Sequence, residues 1–149
     1  MRTVVQRVTK GTVTINNEIH GSIAEGLVVF LGIKADDTIK DLLWMVEKLI
    51  HLRIFEDDKK KMNRSLTDIH GEMLIISQFT LYGDCRKGRR PGFSSAAPPP
   101  VAQPLYEQFV AEVENRGIQV ASGIFQAEMQ IELVNDGPVT LLLDSEKNF

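Results

Sequence analysis

Short β-branched stretches fill the first part of the chain, at residues 3–8, 12–15 and 18–23, with polar breaks at Lys10-Gly11 and Asn16-Asn17. The pattern predicts three strands. Asn16-Asn17 predicts a two-residue hairpin turn, because asparagine tolerates positive φ. Residues 26–33 are almost all apolar, as expected of a strand covered on both faces. A helix is predicted next. Asp36, Asp37 and Thr38 offer capping oxygens and negative charge at its start, and Leu42, Val46, Leu49, Ile50 and Arg53 recur at helical spacing. Residues 56–61 read as a charged loop, residues 72–81 as a second buried strand, and residues 86–100 as a long loop dense in Arg, Gly, Ser and Pro. Pro98-Pro99-Pro100 leads into an amphipathic helix carrying Leu105, Tyr106, Phe109, Val110 and Val113, with Gly117 suited to its C-terminal cap. Met129, Ile131 and Leu133 then alternate with Glu128, Gln130 and Glu132 as a half-buried strand does. Asn135-Asp136-Gly137-Pro138 interrupts, and residues 139–143 resume as strand. The order β-β-β-β-α-β-α-β-β predicts one mixed α/β domain over residues 1–149, with no linker to divide it and no internal repeat.

Composition narrows this picture. A chain of 149 residues has the size of one ordinary domain, and 43% hydrophobic with 25% charged residues excludes a disordered chain, a collagen-like chain and a coiled coil. Cys85 is the one cysteine, which excludes an intrachain disulfide and a four-cysteine zinc site. The longest apolar run, residues 26–33, is far short of the roughly 20 residues of a spanning helix. No apolar run at the N-terminus resembles a signal peptide. A soluble, cytoplasmic protein without a membrane partner is expected. The net charge of −3 leaves no global basic field, so a nucleic-acid partner would need a local patch.

Few residues offer conventional catalysis. His20, His51 and His70 lie in no nucleophile motif, and no Gly-x-Ser-x-Gly, His-Glu-x-x-His or phosphate-loop signature occurs. Cys85 precedes Arg86-Lys87, whose charge favours a thiolate, but it has no catalytic partner in sequence. Ser77-Gln78-Phe79-Thr80-Leu81 is more informative. There an apolar strand ends in three hydrogen-bonding side chains, and period-two geometry places Gln78 with Thr80 and Ser77 with Phe79. Such a strand end suits an α/β ligand site, or simply a strand leaving the core. In Asn135-Asp136-Gly137-Pro138-Val139-Thr140, proline removes a ladder donor and glycine lets the backbone approach a neighbour closely, although a plain turn would read the same way. Arg86, Lys87, Arg89 and Arg90 fall within five residues, as a solvated loop or as a phosphate-binding focus.

Together these segments resemble the D-aminoacyl-tRNA deacylase family nearly end to end. The resemblance rests on Val5-Gln6-Arg7-Val8, Arg53-Ile54-Phe55, Lys61-Met62-Asn63, Ser77-Gln78-Phe79-Thr80-Leu81, Arg90-Pro91-Gly92-Phe93-Ser94 and Asn135-Asp136-Gly137-Pro138-Val139-Thr140. Gly92 departs from the family pattern, which has Ser there. A related animal deacylase differs where Ser77-Gln78 stands. The resemblance implies a barrel-like mixed sheet with two main helices. It implies a homodimeric carboxylic ester hydrolase that frees tRNA from D-amino acids, and from glycine mischarged on tRNA-Ala, without metal or organic cofactor. It implies catalytic roles for Ser77, Gln78, Phe79 and Thr80, assisted by the 2′-hydroxyl of the terminal adenosine. It implies chiral selection by a cis Gly137-Pro138 bond, held by Arg7 and reaching into the partner's active site, and tRNA contact by Arg86, Lys87, Arg89 and Arg90. A non-catalytic tRNA-binding module would account for the basic run alone, and a purely structural dimer for neither motif.

Overall fold

The break expected at Lys10-Gly11 does not form. In the computed structural model, which describes residues 1–149, the first two stretches are one 14-residue strand, β1 (Arg2–Ile15). Three partners keep it continuous: β3 (Gly26–Gly32) along its first half, β2 (Glu18–Ile23) along its second, and β8 (Gln130–Asp144) along the other side of both. Ladder hydrogen bonds on both flanks outweigh the local breaking tendency of Lys10-Gly11. Asn16 and Asn17 turn the chain with φ of 52° and 64°, as the hairpin expectation requires.

After β3 come α1 (Ile39–His51), the small hairpin β4 (Phe55–Glu56) and β5 (Met62–Arg64), β6 (Glu72–Ser77), a 3-10 turn (Phe79–Tyr82), α2 (Pro99–Asn115), β7 (Gln119–Ser122) and finally β8. Thr38 caps α1 through a reciprocal pair with Asp41, whose carboxylate accepts from the Thr38 N–H at 2.9 Å. The helix stops at His51, because Leu52 adopts ψ 122°. Arg53 therefore lies beyond it, and its Nε donates to the Asn63 carbonyl at 2.7 Å. The charged segment 56–61 is the turn of the β4–β5 hairpin, tied by Asp57 to the N–H groups of Lys59 and Lys61. Gly117, just past α2, has φ +80°, as its capping role demands.

The sheet order is β2-β1-β3-β6-β7, with β3, β6 and β7 parallel and β8 added on the far side of β1. The sheet curls until β2 meets β7, giving a barrel-like form. Leu27, Val29 and Leu31 of β3 face the helices, in the main core with Leu42, Leu49 and Phe109. Val28 faces the inside of the curl with Val8, Val13 and Leu74. Burial on both faces explains the unbroken apolar run of β3. No helix is long and apolar enough to cross a membrane.

Candidate active site

Parallel β3 and β6 end side by side, with Leu31 opposite Ser77. The Gln78 N–H still donates to the Leu31 carbonyl at 2.8 Å. Gln78 then takes φ −143° and ψ 80°, and the chain enters the 3-10 turn. The strand expected over residues 72–81 thus ends at Ser77. Strand alternation does not pair Ser77 with Phe79. Gln78 and Thr80 do meet, but by the curl of the turn: the Gln78 amide donates to the Thr80 hydroxyl oxygen. The first N–H groups of such a turn have no acceptor within it. Those of Phe79 and Thr80 occupy that position.

Ser77, Gln78 and Phe79 form one wall of a cavity of about 670 Å³. Leu31, Ile33 and Ile76 also line it, with Pro98, Pro99 and Ala102 from the start of α2 and the residue before it, and Phe125, Met129 and Ile131. Thr80 stands outside this lining, on the exposed side of the turn. Its hydroxyl has the Gln78 amide as side-chain partner, a donor that cannot take its proton. No histidine, lysine or carboxylate side chain of this chain is hydrogen-bonded to it, the kind of partner that activates a hydroxyl nucleophile.

Two residues overlooked in the sequence hold this wall. Tyr106 of α2 is buried, and its hydroxyl donates to the Ile75 carbonyl at 2.9 Å, with the Gly123 carbonyl 3.4 Å away, fixing β6 two residues before Ser77. Burial pushes its pKa up to about 12. Arg2 braces the 3-10 turn from below. Its guanidinium lies 4.7 Å from the Tyr82 ring centre, Nη1 donates to the Leu81 carbonyl at 3.4 Å, and Nε pairs with Asp144 at 3.2 Å. A tyrosine among apolar helix positions was the available signal for Tyr106, since a buried hydroxyl needs an acceptor.

The second motif lies elsewhere. Between the pairs Gln6–Thr140 and Val8–Asn135, the segment from Asp136 to Val139 bulges out of the β1–β8 ladder. The Asn135 side chain closes this bulge, accepting from the Val139 N–H at 2.7 Å and donating to the Val139 carbonyl at 3.1 Å. Buried Arg7 supports it: Nε donates to the Asp136 carbonyl at 2.9 Å and Nη1 to the Ile54 carbonyl at 2.6 Å. Gly137 and Pro138 are joined by a cis peptide bond and stand exposed at the tip, with Gly137 at φ +136°. Arg7 pairs with Leu27, which pairs with Met73, four residues before Ser77. The two motifs are thus separated by about 13 Å along the strands and by three strand spacings of about 4.8 Å across them. Neither Gly137 nor Pro138 lines the cavity. One chain does not bring them together.

The basic run forms an exposed loop closed at its base, where Asp84 and Gly92 exchange hydrogen bonds of 2.7 and 2.9 Å. Its four cations are not equivalent. Arg86 is held by Asp84 through Nε at 2.8 Å and Nη2 at 2.7 Å, and this guanidinium holds the Asp84 carboxyl well below the usual carboxylate range. Lys87, Arg89 and Arg90 make no ion pair. Cys85 is exposed. His20 and His70 are exposed, and His51 lies 3.1 Å from Glu47 on α1. No group of three His, Cys, Asp or Glu side chains converges as a metal would need.

The profile of the D-Tyr-tRNA(Tyr) deacylase family matches residues 4–144. The chain belongs to this family. The D-aminoacyl-tRNA deacylase of Desulfotalea psychrophila is 61% identical over 149 residues, all of both chains. That of Clostridioides difficile is 56% identical, again over all of both chains. Among solved structures, the c-Myc DNA Unwinding Element Binding Protein superposes with a TM-score of 0.91 at 41% identity, covering 97% of this chain and 98% of its own. The protein is accordingly a hydrolase acting on D-aminoacyl-tRNA, and its fold is the mixed α/β, barrel-like fold expected. In this deacylase the polar strand end and the Gly-Pro bulge lie apart on one chain.

Proposed function

We propose that this deacylase works as a cytoplasmic homodimer in which the Gly137-Pro138 bulge of one protomer enters the cavity of its partner. The observation that carries the reading is the distance between the two motifs: each chain holds an open cavity at one sheet end and a braced, exposed bulge at the other. A two-fold pairing joins each cavity to the other chain's bulge. The cavity takes the aminoacylated terminal adenosine. Water attacks the ester carbonyl, and the N–H groups of Phe79 and Thr80 accommodate the charge that develops on the carbonyl oxygen. The ester breaks, and the ribose hydroxyl leaves with a proton. Ser77 and Gln78 orient the substrate, Thr80 positions rather than attacks, and the neighbouring ribose 2′-hydroxyl assists the water.

Selectivity comes by exclusion. A D-residue turns its side chain away from the Gly137-Pro138 backbone, whereas an L-residue drives its Cβ into it. Glycine has no Cβ to exclude, so glycyl-tRNA-Ala is also a substrate. Arg7 holds the bulge, and the basic loop holds the tRNA backbone through Lys87, Arg89 and Arg90, with Arg86 shaping the loop. Single-turnover hydrolysis of D-tyrosyl-, L-tyrosyl- and glycyl-tRNA tests the reading. D-tyrosyl and glycyl esters are cleaved and the L-ester is spared, while brisk cleavage of L-tyrosyl-tRNA overturns it. Sedimentation at micromolar concentration yields a dimer; a monomer alone rejects the shared site.

A further inference from the structure

The rings of an aromatic pair at the cavity mouth have no part in the chemistry above, which uses only the backbone N–H of one of them. Phe79 and Phe93 leave 56% and 38% of their surface exposed. Their rings meet edge to face, 5.1 Å between centroids and 68° between planes, and both line the cavity. The backbone holds Phe93 in this exposed position. The Asp84–Gly92 bridge closes the basic loop directly before it, and the Ala96 N–H donates to its carbonyl at 3.1 Å. Gly83 makes the seat: a Cβ there would lie 3.1 Å from Phe93 Cε1 and 3.0 Å from the Thr80 carbonyl oxygen. One exposed ring is thus fixed between a loop bearing the unpaired cations Lys87, Arg89 and Arg90 and the polar wall of Ser77 to Phe79. Cations beside an exposed aromatic face are the chemistry that holds single-stranded nucleic acid, phosphates on the cations and a base on the ring.

We propose that Phe93 is a stacking platform for the nucleotide that precedes the terminal adenosine in the single-stranded 3′ end of the tRNA. The proposal rests on the reading that the cavity takes that adenosine. A strand leaving the cavity toward the basic loop crosses Phe93, so its next base lies on the ring and its next phosphates reach Lys87, Arg89 or Arg90. Stacking on an aromatic face tolerates any base, so this contact adds affinity without reading sequence.

The test compares D-tyrosyl-tRNA with D-tyrosyl-adenosine, an ester that lacks the preceding nucleotide, on the wild type and on Phe93→Leu and Phe93→Trp. Loss of one stacked base corresponds to about 5- to 150-fold in affinity. Phe93→Leu is expected to raise KM for D-tyrosyl-tRNA within that range with kcat nearly unchanged, and to leave D-tyrosyl-adenosine hydrolysis intact. Phe93→Trp restores the tRNA value. The fluorescence of 2-aminopurine placed at the penultimate tRNA position is quenched by the wild type and by Phe93→Trp, but not by Phe93→Leu. Equal losses on both substrates would assign Phe93 to holding the terminal adenosine or its ester and overturn the proposal. So would no loss on either, or an altered sedimentation mass of Phe93→Leu, which would place the ring in a subunit interface. A wild type inert toward both esters would remove the reading of the cavity itself, and the platform with it.

Discussion

The two ends of the β3–β6 sheet are built on opposite principles. At the C-terminal end the backbone leaves the ladder early, most of the cavity lining is apolar, and the first N–H groups of the 3-10 turn have no acceptor within it. At the other end the motif itself is braced. The bulge from Asp136 to Val139 is closed by Asn135 and buttressed by buried Arg7, so its exposed tip is held from behind. The first end offers an apolar cavity and the second a braced, exposed tip. A pocket that keeps its donors free cannot use them to brace itself, so its rigidity is imported from Tyr106 and Arg2.

The largest effect is expected from removing the buttress. Arg7→Met leaves the Ile54 and Asp136 carbonyls without their donor, at a cost of about 3 kcal/mol. In a domain of this size the midpoint of thermal unfolding then falls by roughly 6–12 °C, as calorimetry would register. Hydrolysis of D-tyrosyl-tRNA falls with it. A variant as stable as the wild type would show that the bulge holds itself.

Gly137→Ala separates shape from stability. The added Cβ sits at φ +136°, 2.8 Å from Val139 Cγ2 and 3.1 Å from Arg7 Nη2. The tip must shift, and D-tyrosyl-tRNA hydrolysis should fall about a hundredfold, the cost of roughly an ångström of misplacement. Circular dichroism should stay unchanged. Full activity would mean that the bulge takes no part in the reaction.

Thr80→Val probes the receiving end and should cost about tenfold in single-turnover rate, one lost hydrogen bond. Complete loss, or a trapped acyl adduct on Thr80, would make it the nucleophile. The smallest effects belong to the basic loop. Lys87→Ala, Arg89→Ala and Arg90→Ala should each lower the salt-dependence slope of tRNA binding by roughly 0.7 to 0.9. Arg86→Ala should lower it less, because Arg86 is already paired. Asp84 is held below its usual range, so its pairing is fully present above about pH 4 and is lost as pH falls through the lowered value. The slope should therefore be the same at pH 7 and pH 5. A change between them would mean that Asp84 does not hold Arg86.

Much of this was decided locally and could be read from the chain. The Asn16-Asn17 turn, the cap at Thr38, the doubly covered strand at Gly26 and the stop at Gly117 each follow from the chemistry of a few neighbouring residues. Ser77 to Thr80 and Asn135 to Thr140 likewise stood out as polar or proline-bearing breaks in apolar strands. The fold decided what depends on partners distant in sequence. β1 runs through Lys10-Gly11 because three strands pair with it. β7 is four residues with no strong pattern and exists because β6 offers it an edge. Arg7 and Tyr106 look in sequence like an ordinary strand cation and an ordinary helix aromatic. Their roles appear only when the carbonyls of Ile54 and Asp136, and of Ile75 and Gly123, are brought to them across gaps that no local rule spans. Local conformation depends on nearest neighbours, whereas a hydrogen bond between distant segments depends on the whole topology that delivers its acceptor.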